Sequence, residues 1–393
     1  MSRSVSQSGS LAKAAGGPSF APVGRSVYGN RWVALGDSIT QAASTSSSFG
    51  DGWPTYAGLL SAQRINLVYN AGIAGNTSAD ILSRVQADVI SKSPTFCTIK
   101  AGTNDVNQGI AFTTYVANMV AIVRKLREAG IAPVLCTIAP RASKRAGTSQ
   151  TNAWIRRYAA QEGIPLIDFN TLLTEPSTGG YISAYDSGDG THPNAAGYLA
   201  MGNLVNTVLA PFLPPWSPPL PTENADGTNL LPNGLFLTDA NADGVPDSWT
   251  ASGGSSGFTH TIITGDTAIK GNWAQIAMSA AASARTIEYD VNGAGGGFAA
   301  GDVLQLSGRI DVSGLSGGST PIVYFRFYNG SVNTDYKPVS SLTQTITNGV
   351  FSMTKTVPAG TTFVKILLSA GAGTGTYKFA QLGLYNLTRL GLG

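Results

Sequence analysis

Charge is scarce in this 393-residue chain, where Asp, Glu, Lys and Arg make up 12% of the residues, about half of the roughly 25% usual in soluble domains. The few charges are also balanced. Residues 31–228 carry 13 basic and 13 acidic side chains and residues 229–393 nine of each, so the formal net charge of +3 sits in residues 1–30, where Arg3, Lys13 and Arg25 meet no acid. No broad basic excess remains for a phosphate backbone, which argues against nucleic acid as a partner. Apolar runs are short as well. None approaches the roughly 18 residues of a membrane span, and the N-terminus lacks the apolar core of a secretory signal. Cys97 and Cys136 are too few for a disulfide scaffold, and both lie in apolar runs where free core thiols are expected. Histidine is limited to His192 and His260.

What is present points to folded, turn-rich domains. Hydrophobic residues make up 42% of the chain and aromatics 9%, which excludes disorder for most of it. Glycine (48) and proline (20) are abundant, and the length suits two or three domains.

Four segments follow from the pattern. Residues 1–30 form a basic, Ser-rich arm, read as an attachment to a larger assembly, with a plain flexible tail as the alternative. Residues 31–213 alternate short apolar runs, Trp32–Leu35, Leu67–Ala71, Phe96–Ile99, Ala132–Ile138 and Ile164–Ile167, with helical stretches. Such runs suit strands buried on both faces of a parallel sheet, the βαβ pattern of a doubly wound α/β fold. One helix is marked by Val116, Met119, Val120, Val123 and Leu126, with Gly130 at its end. Residues 214–228 are a proline-rich, semi-rigid linker. From 229 to 393 the helical period gives way to alternating stretches between Gly-rich turns, as in an antiparallel β-sandwich.

In a doubly wound sheet, chemistry belongs at the carboxyl ends of the strands. The first strand ends in WVALGDSIT, which sets Ser38 in a turn. A serine nucleophile needs a base, and His192, in DGTHPNAAGY, is the one histidine in this half; Asp189, three residues earlier, is placed to orient its ring. An acyl intermediate also needs donors for its oxyanion. NAGIAGNTS offers the Gly75 N–H and KAGTNDV the Asn104 amide, beside Ser38 itself. Alternatives for these residues are Ser38 as a helix N-cap and His192 as a capping residue before Pro193. Asp105 is expected to hold neighbouring loops, and Asp37 to act at most behind the site. Lys100 and Arg141 are either contacts for an anionic substrate or structural.

Ser38, Gly75, Asn104 and His192, with Asp189 and His192 separated by two residues, resemble the SGNH hydrolases, also called the GDSL esterase and lipase family. The resemblance covers about residues 31–213 and departs from the commonest first motif only at Ile39, where leucine is usual. It implies a flavodoxin-like αβα sandwich, no metal in catalysis, and ester or O-acetyl hydrolysis through a serine acyl-enzyme.

In the β-rich half, DANADGVPD spaces Asp239, Asn241 and Asp243 by two, with the Val245 carbonyl and Asp247 following, as in the first nine positions of an EF-hand-type calcium loop; Thr250 stands where the bidentate glutamate belongs. The expectation is a non-EF-hand calcium loop, or else a metal-free Asx-turn loop. NLLPNGLF and the closing YKFAQLGLYNL resemble jelly-roll carbohydrate-binding modules. Trp249, Trp273, Tyr324, Tyr328 and Tyr336 are then candidates to stack on sugars, or core residues. Alternation puts Tyr324, Arg326 and Tyr328 on one face and Phe325 and Phe327 on the other, without saying which is buried.

The sequence thus points to a carbohydrate O-acetylesterase whose β-sandwich binds a polysaccharide partner. A lipase or thioesterase, and a non-catalytic glycan-binding adhesin of a virion tail, are the alternatives. Action outside the cell, in association with a virion, is the expected setting; no heptad or other assembly signature sets an oligomeric state.

Overall fold

The computed structural model describes residues 30–392 apart from 216–217, 255, 294–296 and 331. The basic arm, apart from Asn30, therefore lies outside the described residues.

The first half holds strands β1 (Arg31–Gly36), β2 (Asn66–Gly72), β3 (Phe96–Lys100), β4 (Ala132–Cys136) and β5 (Leu166–Ile167), and helices α1 (Ser38–Gln41), α2 (Trp53–Leu59), α3 (Ser78–Asp88), α4 (Thr103–Gln108), α5 (Phe112–Glu128), α6 (Arg145–Glu162), α7 (Phe169–Leu173) and α8 (Ala195–Leu209). The five strands are parallel in the order β2-β1-β3-β4-β5. Because side chains alternate along a strand, β1 feeds two cores. Trp32 and Ala34 pack with Trp53, Tyr56, Met201 and Val205 of α2 and α8, whereas Val33 and Leu35 pack with residues of α3, α5 and α6. Helices thus cover both faces in three layers. Cys97 and Cys136 are free and buried on strands β3 and β4, and burial raises both thiols far above their ordinary range.

Helix α5 differs in detail from its sequence pattern. Its buried stripe is Tyr115, Met119, Ile122, Val123 and Leu126, while Val120 is 40% exposed. Val120 is one position off the 3.6-residue stripe that faces the sheet.

The second half holds β6 (Thr250–Gly253), β7 (Phe258–Ile263), β8 (Trp273–Ala281), β9 (Arg285–Asn292), β10 (Val303–Ser316), β11 (Pro321–Tyr328), β12 (Asn333–Ser340), β13 (Ile346–Thr356), β14 (Phe363–Ala370) and β15 (Gly373–Asn386). They form two antiparallel sheets, β13-β10-β15-β8-β7 and β12-β11-β14-β9-β6, packed as a β-sandwich. On β11, Phe325 and Phe327 point into the core, and Tyr324, Arg326 and Tyr328 face outward. Trp249 and Trp273 are core residues, 5% and 2% exposed, which removes them from the set that could stack on a sugar. Tyr336 is half-buried, its ring against Phe327 and under the Lys355 ammonium.

The two halves are joined through more than the chain between them. Ser307 Oγ donates to the Pro219 carbonyl (2.6 Å) and Gln381 Nε2 to that of Pro221 (3.1 Å), so residues 219–221 lie docked on β10 and β15. Proline lacks an N–H but keeps its carbonyl, and those carbonyls make the attachment. The core that includes α2 and α8 also runs into the sandwich interior.

Candidate active site

The site begins at the tight turn after β1. A Cβ on Gly36 would stand 2.2 Å from Thr40 Oγ1 and 2.8 Å from the Lys100 carbonyl, so only glycine lets the turn close. Asp37, not Ser38, is the N-cap of α1, its carboxylate accepting from the Ile39 N–H at 3.0 Å. The Ser38 hydroxyl is thereby left free of capping, and it lies 2.9 Å from His192 Nε2.

His192 arrives on the loop before α8, whose N-cap is Asn194. Its Nδ1 lies 2.6 Å from Asp189 Oδ2, and its backbone N–H donates to Oδ1 of the same carboxylate at 2.8 Å. Burial works against the Asp189 charge. Hydrogen bonds from the His192 ring and backbone, the Thr191 N–H and the Ser187 hydroxyl outweigh it and hold the carboxyl below the ordinary range. With the Nδ1–H donating its hydrogen bond to this carboxylate, Nε2 is free to accept the Ser38 proton.

Gly75 has φ +78°, a value that favours glycine, and no neighbour stands within 4 Å of where its Cβ would be. One N–H of the Asn104 side chain donates to the Asn76 carbonyl (2.9 Å). A primary amide has two N–H groups, so this bond anchors the Asn104 side chain with one donor to spare. The cleft in front of Ser38 has a volume of about 420 Å3 and is lined by Ser38, Gln41, Ala42, Ala43, Asp51, Ala74, His192, Ala195 and Tyr198.

Comparison with known proteins agrees with this geometry. The family model described as GDSL-like Lipase/Acylhydrolase matches residues 34–200. The α/β half is thus similar to GDSL-like hydrolase domains. Similar proteins include the Uncharacterized lipoprotein YqeF of Bacillus subtilis, 33% identical over 28% of this chain and 48% of its own length. Esterase TesA of Pseudomonas aeruginosa is 29% identical over 46% of this chain and 88% of its own. An acetylxylan esterase of Geobacillus stearothermophilus is 36% identical over 20% of this chain and 41% of its own. The chain thus spans about half or less of two of these three relatives. The crystal structure of a GDSL-like lipase from Bacteroides thetaiotaomicron superposes with a TM-score of 0.39 at 24% identity, covering 46% of this chain and 88% of that one.

Around this GDSL-like site, the structure adds residues that the sequence did not single out. Arg84, on α3, donates to the carbonyls of Gly36 (2.8 Å) and Ala71 (2.7 Å) and to Asn76 Oδ1 (2.7 Å), and pairs with Asp88. One guanidinium therefore ties the Ser38 turn to the loop that carries Gly75, using the rigid fork of donors that arginine provides. Its sequence signal was a cation beside Ile81 and Val85 on the buried stripe of α3. Gln41 Oε1 accepts from the Ala74 N–H at 2.8 Å and braces the same loop.

Asp105 holds loops, accepting from the Ser78 N–H (2.9 Å) and hydroxyl (2.5 Å). Lys100 is fully buried and bonded to Asp37 and Thr103, which makes it structural and unavailable to an anionic substrate. Arg141 follows β4, and its buried Nε has no hydrogen-bond partner.

The geometry of 239–247 does not support the calcium reading and favours the Asx-turn alternative. Asp239 accepts from the Asp243 and Gly244 N–H groups, Asp243 from the Val245 N–H and the Asn241 side-chain amide, and Asp247 from the Ala240 N–H. The carboxylates satisfy the loop's own backbone, and among the described residues no three His, Cys, Asp or Glu side chains gather as metal ligands. The residues Asp239, Asn241, Asp243, Val245 and Asp247 fit a metal-free Asx-turn loop, closed by Gly244 at φ +80°.

Proposed function

We propose that this protein is a serine esterase that removes O-acetyl groups from a polysaccharide, with the β-sandwich holding the polymer. The observation that carries the reading is the chain of contacts from Ser38 Oγ through His192 to Asp189 at 2.9 and 2.6 Å, with Gly75 and Asn104 read as the oxyanion donors. Similarity to an esterase and an acetylxylan esterase supports the ester class. The cleft supports a short acyl group and a neutral substrate, since four of its nine lining residues are alanine and none is Lys or Arg. The acid-free N-terminal arm supports action outside the cell, attached to a larger particle.

In this reading Ser38 Oγ attacks the acetyl carbonyl carbon as His192 Nε2 takes its proton. The oxyanion accepts hydrogen bonds from the N–H groups of Ser38 and Gly75 and the free N–H of Asn104. Collapse breaks the bond to the sugar oxygen, which leaves with the proton from His192, and the acetyl group stays on Ser38. Water, deprotonated by the same imidazole, then releases acetate and restores the hydroxyl. Asp189 holds the ring and balances the imidazolium charge.

The test combines acetate release from a panel of acetylated glycans with fluorophosphonate labelling. The expected result is labelling at Ser38, loss of turnover in Ser38→Ala and His192→Ala, and a milder loss in Asp189→Asn. A protein that neither labels nor releases acetate would be the non-catalytic adhesin instead, while a preference for octanoyl over acetyl esters would make it a lipase or thioesterase.

A further inference from the structure

The cleft has a wall that the sandwich half holds in place. Residues 42–52, between α1 and α2, supply Ala42, Ala43 and Asp51 to its lining. This loop runs beside the edge of β12. Lys337 donates its N–H to the Ser47 carbonyl (2.7 Å), the Phe49 N–H donates to the Lys337 carbonyl (2.9 Å), and Ser48 Oγ donates to Ser340 Oγ (2.8 Å). The exposed edge of a sheet is a template for added strand, and here the added segment is the active-site loop of the other domain. Further along, Thr343 Oγ1 donates to Asp51 Oδ2 at 2.6 Å, and the Tyr56 hydroxyl donates to Asp51 Oδ1. The carboxyl is pinned from both sides in a half-buried position whose desolvation raises its pKa against those two bonds.

Each oxygen of Asp51 has a second lone pair, and Asp51 and Gln41 are the polar lining residues outside the Ser38–His192 pair and the Tyr198 ring. Gln41 spends its oxygen on Ala74. We propose that Asp51 is the specificity-determining residue of the cleft, accepting a hydrogen bond from a hydroxyl of the leaving alcohol, and that Thr343 of the sandwich is its positioning residue. The inference rests on the esterase reading above and deepens it. The sandwich then has a second task besides holding polymer, because it completes the wall that distinguishes a hydroxyl-bearing alcohol from a bare one.

The experiment uses the full chain and two small neutral acetates, glycerol monoacetate with free hydroxyls and ethyl acetate with none. The quantity read is the ratio of kcat/KM for the first over the second. Removing one net hydrogen bond of about 0.5–1.5 kcal/mol lowers such a ratio by roughly 2- to 13-fold. Thr343→Val and Asp51→Ala are expected to lower the ratio by this amount, chiefly by raising KM for glycerol monoacetate, and Thr343→Ser to keep the parent ratio. A global folding defect lowers both substrates alike and leaves the ratio where it was. A ratio unchanged in both Thr343→Val and Asp51→Ala, with turnover intact, overturns the inference alone. Failure of the parent protein to turn over either acetate or to label at Ser38 instead sinks the esterase reading on which it rests.

Discussion

Lys100 Nζ lies 3.0 Å from both carboxylate oxygens of Asp37, and neither side chain reaches solvent. The pair sits at the adjoining ends of β3 and β1, directly behind Ser38. Asp37 also caps α1 and Lys100 also bonds Thr103 Oγ1, so the turn that presents the hydroxyl and the start of α4, which carries Asn104, share one buried ion pair. Removing one partner strands the other charge. Lys100→Met is expected to cost about 3–5 kcal/mol, and Lys100→Met with Asp37→Asn to recover part of it. Urea unfolding of the three proteins checks this, and a double variant no more stable than Lys100→Met would contradict it.

Arg84 spans three backbone or amide oxygens around the same turn. Losing that clamp lets the Ser38 turn and the Gly75 loop drift apart, and a misplacement on the order of 1 Å can cost about a hundredfold in rate. Arg84→Ala is expected to lower kcat on a simple acetate ester by roughly ten- to a hundredfold. Arg84→Lys should not rescue it, because an ammonium cannot reproduce the fork. Full activity in the lysine variant would show that charge alone suffices.

Acid stability should depend on Asp168, which accepts from Arg156 Nε and Nη2 at 2.8 and 2.9 Å and caps α7. Burial opposes its charge, but the bonds from Arg156 and Thr171 prevail and lower its pKa. A carboxyl depressed in the folded state contributes stability that is present above its unfolded pKa, about 3.9, and lost as pH falls through the folded value. Asp168→Asn should therefore be less stable than the parent at pH 7, and the two should converge as the pH drops below about 4. Thermal melts across that range measure the convergence; parallel curves would rule the linkage out.

The Asx-turn loop at 239–247 predicts indifference to calcium. A ligand bound by the folded state alone raises the melting temperature with its concentration. Neither excess calcium nor a chelator should move Tm by more than about a degree, and a rise that tracks calcium concentration would restore the metal reading.

Much of the α/β half was legible because its signals are local. Strand ends rich in small residues, apolar runs of four to seven and the one histidine of that half are written in adjacent residues, and the parallel sheet followed from the βαβ alternation. Even there, the alternative of Ser38 as an N-cap is excluded because Asp37, a carboxylate two residues before the Ile39 N–H, caps α1 directly, and the buried stripe of α5 turned away from Val120. The Asp and Asn spacing at 239–247 could not choose between calcium and an Asx-turn loop, because the same alternation closes Asx turns on backbone N–H groups and spacing does not say which way a carboxylate faces.

The sequence by itself determined the parallel α/β architecture, the following sandwich, the strand ends that carry Ser38, Gly75 and Asn104 and the late loop that carries His192, since period and turn chemistry are properties of neighbouring residues. Only the tertiary structure decided what depends on distant ones. It buried Lys100 against Asp37, 63 positions apart, drew Arg84 onto two strand ends, turned Phe325 and Phe327 inward, and set Thr343 against Asp51 across 292 residues. Such contacts carry no local pattern, because they are selected by how two separately patterned cores pack together.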